Sequence, residues 1–327
     1  EDDEEGGNGE EVMGSITASD QVISQNVIRV ESATMENNSG WIVGHKDDNG
    51  APQVPGIFTI PQSLSEGTSE DIMVNIDTSA GISDGETIWL MLHEDTGEKG
   101  EYEFDGSSGL DPAVLNDAGN PVTVSIDVIS PSITVTDQVI MNNRAVIGEI
   151  MAGADGWLVI HKDDGTGAPG AVVGYSAVSS GLNEDVSVAL SDEHSYSQGD
   201  QLFPMLHIDA GTAGEYEFPG ADVPEVFGYG AGNVIVTSFT IDGVETITEI
   251  SMENNNFVPG RDTVSSGTTV RWINNDNYAH TVDSDDGLFS SGNISAGGTF
   301  EYTFDTQGVF NYTCTIHADM DGTIVVE

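Results

Sequence analysis

The chain has 327 residues, 37% of them hydrophobic, with 40 glycines and one cysteine. That is apolar material for two or three domain cores, which excludes a disordered chain, and a lone cysteine excludes an internal disulfide framework. Asp and Glu number 56 against 7 Lys and Arg, a formal net charge of -49, which excludes the basic footprint that nucleic acid binding needs.

The acids are spread along the chain rather than blocked, and no Lys or Arg follows Arg271. In dilute buffer such a chain repels itself. Molar salt shrinks the Debye length to about 3 Å and removes most of that repulsion. The charge therefore reads as the solubility device of a salt-loving organism's protein, in preference to a polyanion for a basic partner or calcium. No apolar run approaches the ~18 residues of a membrane span. Nothing here is expected to cross a bilayer as a helix.

Residues 1–12, opening "EDDEEGGNGEE", read as an acidic flexible leader. It has the character of a tether left by signal removal, where a lipid anchor is one means of attachment. A repeat follows. "ITASDQVI" (16–23) returns as "ITVTDQVI" (133–140), and "GWIVGHKDD" (40–48) as "GWLVIHKDD" (156–164). "MLHEDTGEKGEYEF" (91–104) returns as "MLHIDAGTAGEYEF" (205–218). Two copies of one domain are expected, over 13–129 and 130–243, joined at "SPS" (130–132). "SEDIMVNID" (69–77) and "NEDVSVAL" (183–190) alternate apolar and polar residues as half-buried strands do. "DDNGAP", "GISDGE" and "SYSQGD" carry turn chemistry. Several short strands in each copy predict a β-sandwich.

Two histidines recur in each copy, His45 and His93, then His161 and His207, each followed at the second position by Asp47, Asp95, Asp163 or Asp209. They are candidate ligands for an additional metal, zinc or copper(II), in each repeat. The preferred reading is plainer: a barely buried histidine at a strand end needs one hydrogen-bond partner and no ion.

From 244 to 327 the repeat pattern is lost. "ITEISM" (247–252), "TTVRWIN" (268–274), "TFEYTF" (299–304), "GVFNYTC" (308–314) and "GTIVVE" (322–327) read as strands. In "GVFNYTC", Phe310, Tyr312 and Cys314 share the predicted inward face. Cys314, His317 and Met320 then fall within seven residues, and His280 is the other histidine of this region. A copper ion that alternates between +1 and +2 needs ligands acceptable to both states. Two neutral imidazoles, a thiolate and a weak axial thioether meet that need. A buried cysteine with a histidine and a methionine nearby by chance is the competing explanation. Four ligand types at this spacing argue against it.

The residues "WINNDNYAHTV" and "GVFNYTCTIHADMDGTIVVE" resemble the cupredoxins, the type 1 blue copper electron carriers of the plastocyanin, amicyanin and halocyanin group. The resemblance covers about 80 residues. It implies a Greek-key sandwich binding one copper ion, with His280, Cys314 and His317 as equatorial ligands and Met320 as the axial one. The compact loop is most similar to that of amicyanin. The family often has proline before the first ligand histidine and between the cysteine and the loop histidine. Here those positions are Ala279 and Ile316, which alters loop stiffness and potential but not the ligand set. The resemblance also implies an electron-transfer edge at His317, flanked by Ile316 and Ala318. Brine screens charge steering, so docking there is expected to lean on apolar contact. The two repeats resemble tandem immunoglobulin-like modules of secreted haloarchaeal proteins, through their Trp-to-His and His-x-Asp-x-Gly-x-x-Gly-Glu-Tyr patterns.

The expected fold is thus all-β, three sandwiches in tandem. The expected function is single-electron transfer by a secreted or cell-surface copper protein, with redox proteins as partners and the repeats as stalk or docking modules. The alternative is a structural, adhesive or filament-forming homo-oligomer in which the copper domain is secondary or conductive. A copper enzyme is disfavoured, because it needs a further metal centre with substrate access. Asn37, Asn293 and Asn311 begin Asn-x-Ser/Thr triplets and are candidate glycosylation sites.

Overall fold

The computed structural model describes residues 14–77, 79–228 and 233–327. The acidic leader at 1–12 lies outside them. The described residues contain strands, bridges and turns and no helix, so the chain is all-β as expected.

In the first copy, strands Gly14–Thr17, Val27–Met35 and Gly67–Asn75 form one sheet. A second sheet has Gly40–Asp47 and Thr87–Glu94 at its centre, flanked by Thr123–Ile129 and Pro52–Ile57. Period-two alternation sets what lies between them. Ile72, Val74 and Ile76 point inward, while Asp71, Met73 and Asn75 point out. Ile28, Val30, Ile42, Leu90, Leu92 and Ile126 complete that core.

The second copy repeats the plan with Arg144–Ala152 and Gly181–Ala189 facing Gly156–Asp163 and Gln201–Ile208. Ile147, Ile150, Leu158, Ile160, Val188 and Leu206 fill its core. Its two layers are continuous at one edge. Gln138–Met141 pairs in parallel with Phe239–Glu245 and also meets Arg144–Ala152 at Met141 and Arg144. The predicted strands at 69–77 and 183–190 are observed two residues earlier at their starts, as Gly67–Asn75 and Gly181–Ala189.

The four repeat histidines are not at barely buried strand ends. His45 and His93 have no exposed surface, and His161 and His207 are 4% and 1% exposed. In each copy the chain after the second histidine folds back across the outer face of the central strands. Phe104 and Tyr102 lie edge-on to His93 at 4.5 and 5.6 Å, and Phe218 lies edge-on to His207 at 4.6 Å. Those strands are consequently buried on both faces, and the histidines sit in a small second core.

The C-terminal region is two four-stranded sheets. One orders Asn256–Val258, Ile247–Glu253, Thr268–Asn274 and Thr299–Phe304, and the other Arg261–Val264, Asp321–Val326, Gly308–Thr313 and Asp283–Ser284. Ile247–Glu253 runs parallel to Thr268–Asn274, and Arg261–Val264 parallel to Asp321–Val326. Trp272, Phe304, Tyr312 and Ile324 are almost wholly buried between the sheets. Tyr312 points inward and Val309 and Asn311 outward, so Gly308–Thr313 aims Cys314 at the end of the core.

Candidate metal centre

Two loops at one end of the C-terminal sandwich build the centre. The first runs from Asn274 to Asp283 and carries His280. Asn274 is fully buried and organises it: its Nδ2 donates to the carbonyls of Tyr278 (2.8 Å) and Ile294 (2.9 Å), and its Oδ1 accepts from Asp276 N–H (3.0 Å). His280 and Ile294 exchange backbone hydrogen bonds of 3.1 and 2.7 Å. The second loop runs from Cys314 to Met320. Cys314 N–H donates to the Met320 carbonyl at 2.9 Å, and His317 N–H to the Cys314 carbonyl at 3.3 Å. These bonds close the loop into a ring and return Met320, fully buried, beside Cys314.

The result is convergence. His280 Nδ1, His317 Nδ1 and Cys314 Sγ lie within 4.8 Å of one another. Sγ is 3.8 Å from His280 Nδ1 and 3.4 Å from His317 Nδ1, and the two nitrogens are 3.1 Å apart. Thr281 N–H points at Sγ from 3.3 Å, and Thr281 Oγ1 accepts from Thr315 N–H at 2.9 Å. His280 is fully buried, Cys314 is 2% exposed, and His317 is half-buried between exposed Ile316 and Ala318.

The electrostatics favour a ligating imidazole. His280 Nε2 donates to Asp276 Oδ2 at 2.9 Å, which leaves the Nδ1 lone pair free to face Cys314. Desolvation pushes the Asp276 carboxyl up. The N–H groups of Asn254 and Asn255, with His280 and Tyr278, outweigh it and hold the group down at about 2. Asp276 is therefore ionised at every working pH. Tyr278 packs its ring 5.2 Å from His280 and 5.4 Å from His317. Its hydroxyl is pushed up by desolvation and by Asp276. None of Asn274, Asp276, Tyr278 or Thr281 was singled out in the sequence. The available signal was a carboxylate four residues before the histidine.

Of the residues expected from sequence, the structure brings together His280, Cys314 and His317, and buries Met320 in the same core with its carbonyl bonded to the Cys314 N–H. The donor set is soft and charge-poor, two imidazoles and one thiol, and it fits copper better than a hard cation. It is the one group of three or more His, Cys, Asp and Glu ligand atoms among the described residues. In the repeats the histidines pair, with ring centres 5.9 Å apart for His45 and His93 and 5.8 Å for His161 and His207. The following aspartates do not join them. Asp47 accepts from Trp89 Nε1 and Gly50 N–H, while Asp95, Asp163 and Asp209 cap the N–H groups of Gly100, Gly167 and Gly214. Asn37, Asn293 and Asn311 are all exposed.

A β-sandwich whose end loops gather two imidazoles and a cysteine around one point defines a mononuclear soft-metal protein. The comparisons agree. A family described as a cupredoxin-like domain matches residues 234–326, and one described as a domain of unknown function (DUF7282) matches 14–129 and 131–242. The plastocyanin of Scenedesmus fuscus is 34% identical, over 22% of this chain and 86% of its own length. The halocyanin of Natronomonas pharaonis is 39% identical over 25% of this chain, which spans about half of that relative, 56%. Among solved structures, a purple cupredoxin from Nitrosopumilus maritimus is 29% identical, covering 24% of this chain and 99% of its own, with a TM-score of 0.23. A variant of amicyanin is 26% identical, covering 25% and 82%, with a TM-score of 0.24. The chain belongs to the DUF7282 family through its two repeats and to the cupredoxin family through its C-terminal domain, a copper electron-transfer domain.

Proposed function

We propose that this chain is a single-electron carrier whose one type 1 copper ion is held by His280, Cys314 and His317, with Met320 as axial ligand. The observation that carries the reading is the convergence of two imidazole Nδ1 atoms and Cys314 Sγ within 4.8 Å at the end of a rigid sandwich. When bound, the ion supplies a one-electron couple between +1 and +2.

The chain's own residues supply the rest. Asp276 fixes the tautomer and orientation of His280. The Thr281 N–H stabilises negative charge on the Cys314 sulfur. The Cys314-to-Met320 backbone bond keeps the loop from relaxing, so the ligands keep one arrangement through both oxidation states. His317, half-buried beneath Ile316, Ala318 and the Tyr278 ring, is the edge through which a partner exchanges the electron. The partners are redox proteins. The domains run 13–129, 130–243 and 244–327, and the repeats serve as stalk or docking modules. The charge of -49 suits work in strong brine, at or outside the surface of a halophilic archaeon. The chain converts no substrate.

The test is a visible spectrum on adding copper(II) to the full chain in high salt. An intense thiolate-to-copper band and a reversible potential are expected. Cys314→Ser should abolish the band and leave the far-UV β-sheet signal intact. A blue Cys314→Ser protein would sink the assignment.

A further inference from the structure

We propose that each N-terminal repeat holds one soft monovalent ion, copper(I), between His45, Met91 and His93 in the first copy and between His161, Met205 and His207 in the second. This goes beyond the reading of the C-terminal centre and does not depend on it.

The register brings the three side chains of each set to one face. On Gly40–Asp47 the outer face carries Trp41, Val43 and His45; on Thr87–Glu94 it carries Trp89, Met91 and His93. Val43 lies opposite Met91, His45 opposite Trp89, and Trp41 opposite His93. Both histidines are thus neighbours of Met91. The second copy has the same arrangement, with Val159 opposite Met205 and His161 opposite Phe203. Two imidazoles that share an ion at about 2.0 Å from each nitrogen have ring centres roughly 5 to 6 Å apart. The observed values are 5.9 and 5.8 Å. Met205 Sδ already lies 3.3 Å from His207 Nε2.

The nitrogens are prepared as ligands. His45 Nδ1 faces the carbonyls of Gln53 and Gly56, both at 3.0 Å. His93 Nδ1 faces the Asp111 carbonyl at 2.8 Å, and His161 Nδ1 the Gly170 carbonyl at 2.9 Å. A carbonyl only accepts, so Nδ1 carries the proton and Nε2 the lone pair. A backbone carbonyl holding one ring nitrogen while the other is left bare is the support a metal-ligating histidine has. Nε2 of His45, His93 and His161 is buried and has no hydrogen-bond partner among the described residues, nor has Nδ1 of His207. Native proteins leave few such atoms. Here the bare Nε2 recurs at His45 and His161, while the second histidine leaves Nε2 bare in His93 and Nδ1 bare in His207, whose Nε2 faces Met205 Sδ.

The backbone supplies an independent sign. The pairing of Gly40–Asp47 with its outer neighbour shifts register at His45, and that of Gly156–Asp163 shifts at His161. Such bulges re-aim a side chain and are common beside functional sites.

Ligand type selects the ion. Two neutral imidazoles and a thioether are soft donors that suit copper(I). The nearby buried carboxylates are committed elsewhere. Asp111 accepts from the N–H groups of Thr96 (2.9 Å), Gly97 (3.4 Å) and Glu103 (2.7 Å), and Asp222 from those of Ala210 (3.1 Å) and Glu217 (2.7 Å). With no anionic ligand, a dry site tolerates one positive charge far better than two. Trp41 Nε1, Tyr102 Oη, Trp157 Nε1 and Tyr216 Oη also lack partners, so the competing occupant is ordered water.

The experiment uses the full chain carrying Cys314→Ser, titrated with silver(I), a redox-inert stand-in for copper(I), in chloride-free brine. Native mass spectrometry counts ions, and nitrogen-15 spectra follow the imidazoles. Adding Met91→Leu and Met205→Leu, which conserve volume, should remove about two ions per chain or weaken their binding at least tenfold, on the scale of losing one ligand interaction. The free ring nitrogens of His45, His93, His161 and His207 should shift on loading. An unchanged ion count in the folded methionine variant, with unmoved repeat imidazoles, overturns the proposal and assigns the free nitrogens to water. The blue band of the intact chain is unaffected by either outcome.

Discussion

Asp276 is the residue on which the copper centre leans without being a ligand. Its carboxylate is ionised, 2.9 Å from the outer nitrogen of His280. A negative charge there stabilises the more positive oxidation state. Asp276→Asn should raise the reduction potential by an amount on the order of 50 mV, through loss of one charge several ångströms from the centre. Protein-film voltammetry checks it, and an unchanged potential with an intact blue band would show that Asp276 is a structural cap only. The proposed ligands His280, Cys314, His317 and Met320 were legible in the sequence because their chemistry is particular and three of them sit on one loop. Asp276 and Tyr278 were not, because acids and tyrosines have many uses and only the folded loop shows which ring they touch. The repeat histidines show the same limit. Their pairing recurred visibly, but their burial depended on a loop whose return over the sheet has no periodic signal.

Among the elements, the strands followed from period two, and the C-terminal ones came within a residue or so of their expected bounds. The short pairings Asn256–Val258, Arg261–Val264 and Asp283–Ser284 did not. Two to four residues carry too little alternation to stand out. The "GW" at the head of each repeat motif acquires a reason in three dimensions. A Cβ on Gly40 would meet the His93 carbonyl, and one on Gly156 the His207 carbonyl. These glycines let the two central strands approach where the second histidine begins its turn. Gly156→Ala should destabilise the chain by about 1–3 kcal/mol, the usual cost of overpacking. Denaturant unfolding in high salt measures it, and a neutral result would mean that the strands separate there without cost.

At the scale of the whole molecule, the two repeats are joined by more than the linker. Gln25 N–H donates to the Val226 carbonyl at 3.0 Å, and Gln25 Nε2 to that of Pro224 at 3.0 Å. Asn26 Oδ1 accepts from Gly228 N–H at 2.9 Å, and Phe227 packs against the core of the first copy. Beside Ser24 in this contact lies Glu225, 1% exposed, accepting from Gly153 N–H at 2.9 Å. Burial pushes its carboxyl above the ordinary value of 4.5. The folded state therefore holds the proton more tightly than the unfolded one. The linked stability is fully present below the unfolded value and is lost as pH rises through the raised folded one. Glu225→Gln keeps an acceptor and removes the charge. It should raise the melting temperature at pH 7 and leave it nearly unchanged near pH 4. Equal gains at both pH values would place the effect elsewhere.

The sequence by itself determined the all-β class, the internal duplication, the acidic surface and the four residues proposed for the copper centre. Each is carried by local information: alternation, self-similarity, charge count, or ligand types at a fixed spacing. The tertiary structure alone decided that Asp276 orients His280, that the repeat histidines are buried beside a methionine, and that the two repeats meet around Glu225. Those facts depend on segments far apart in the chain and on the folded-back loops that exclude water, which no local pattern encodes.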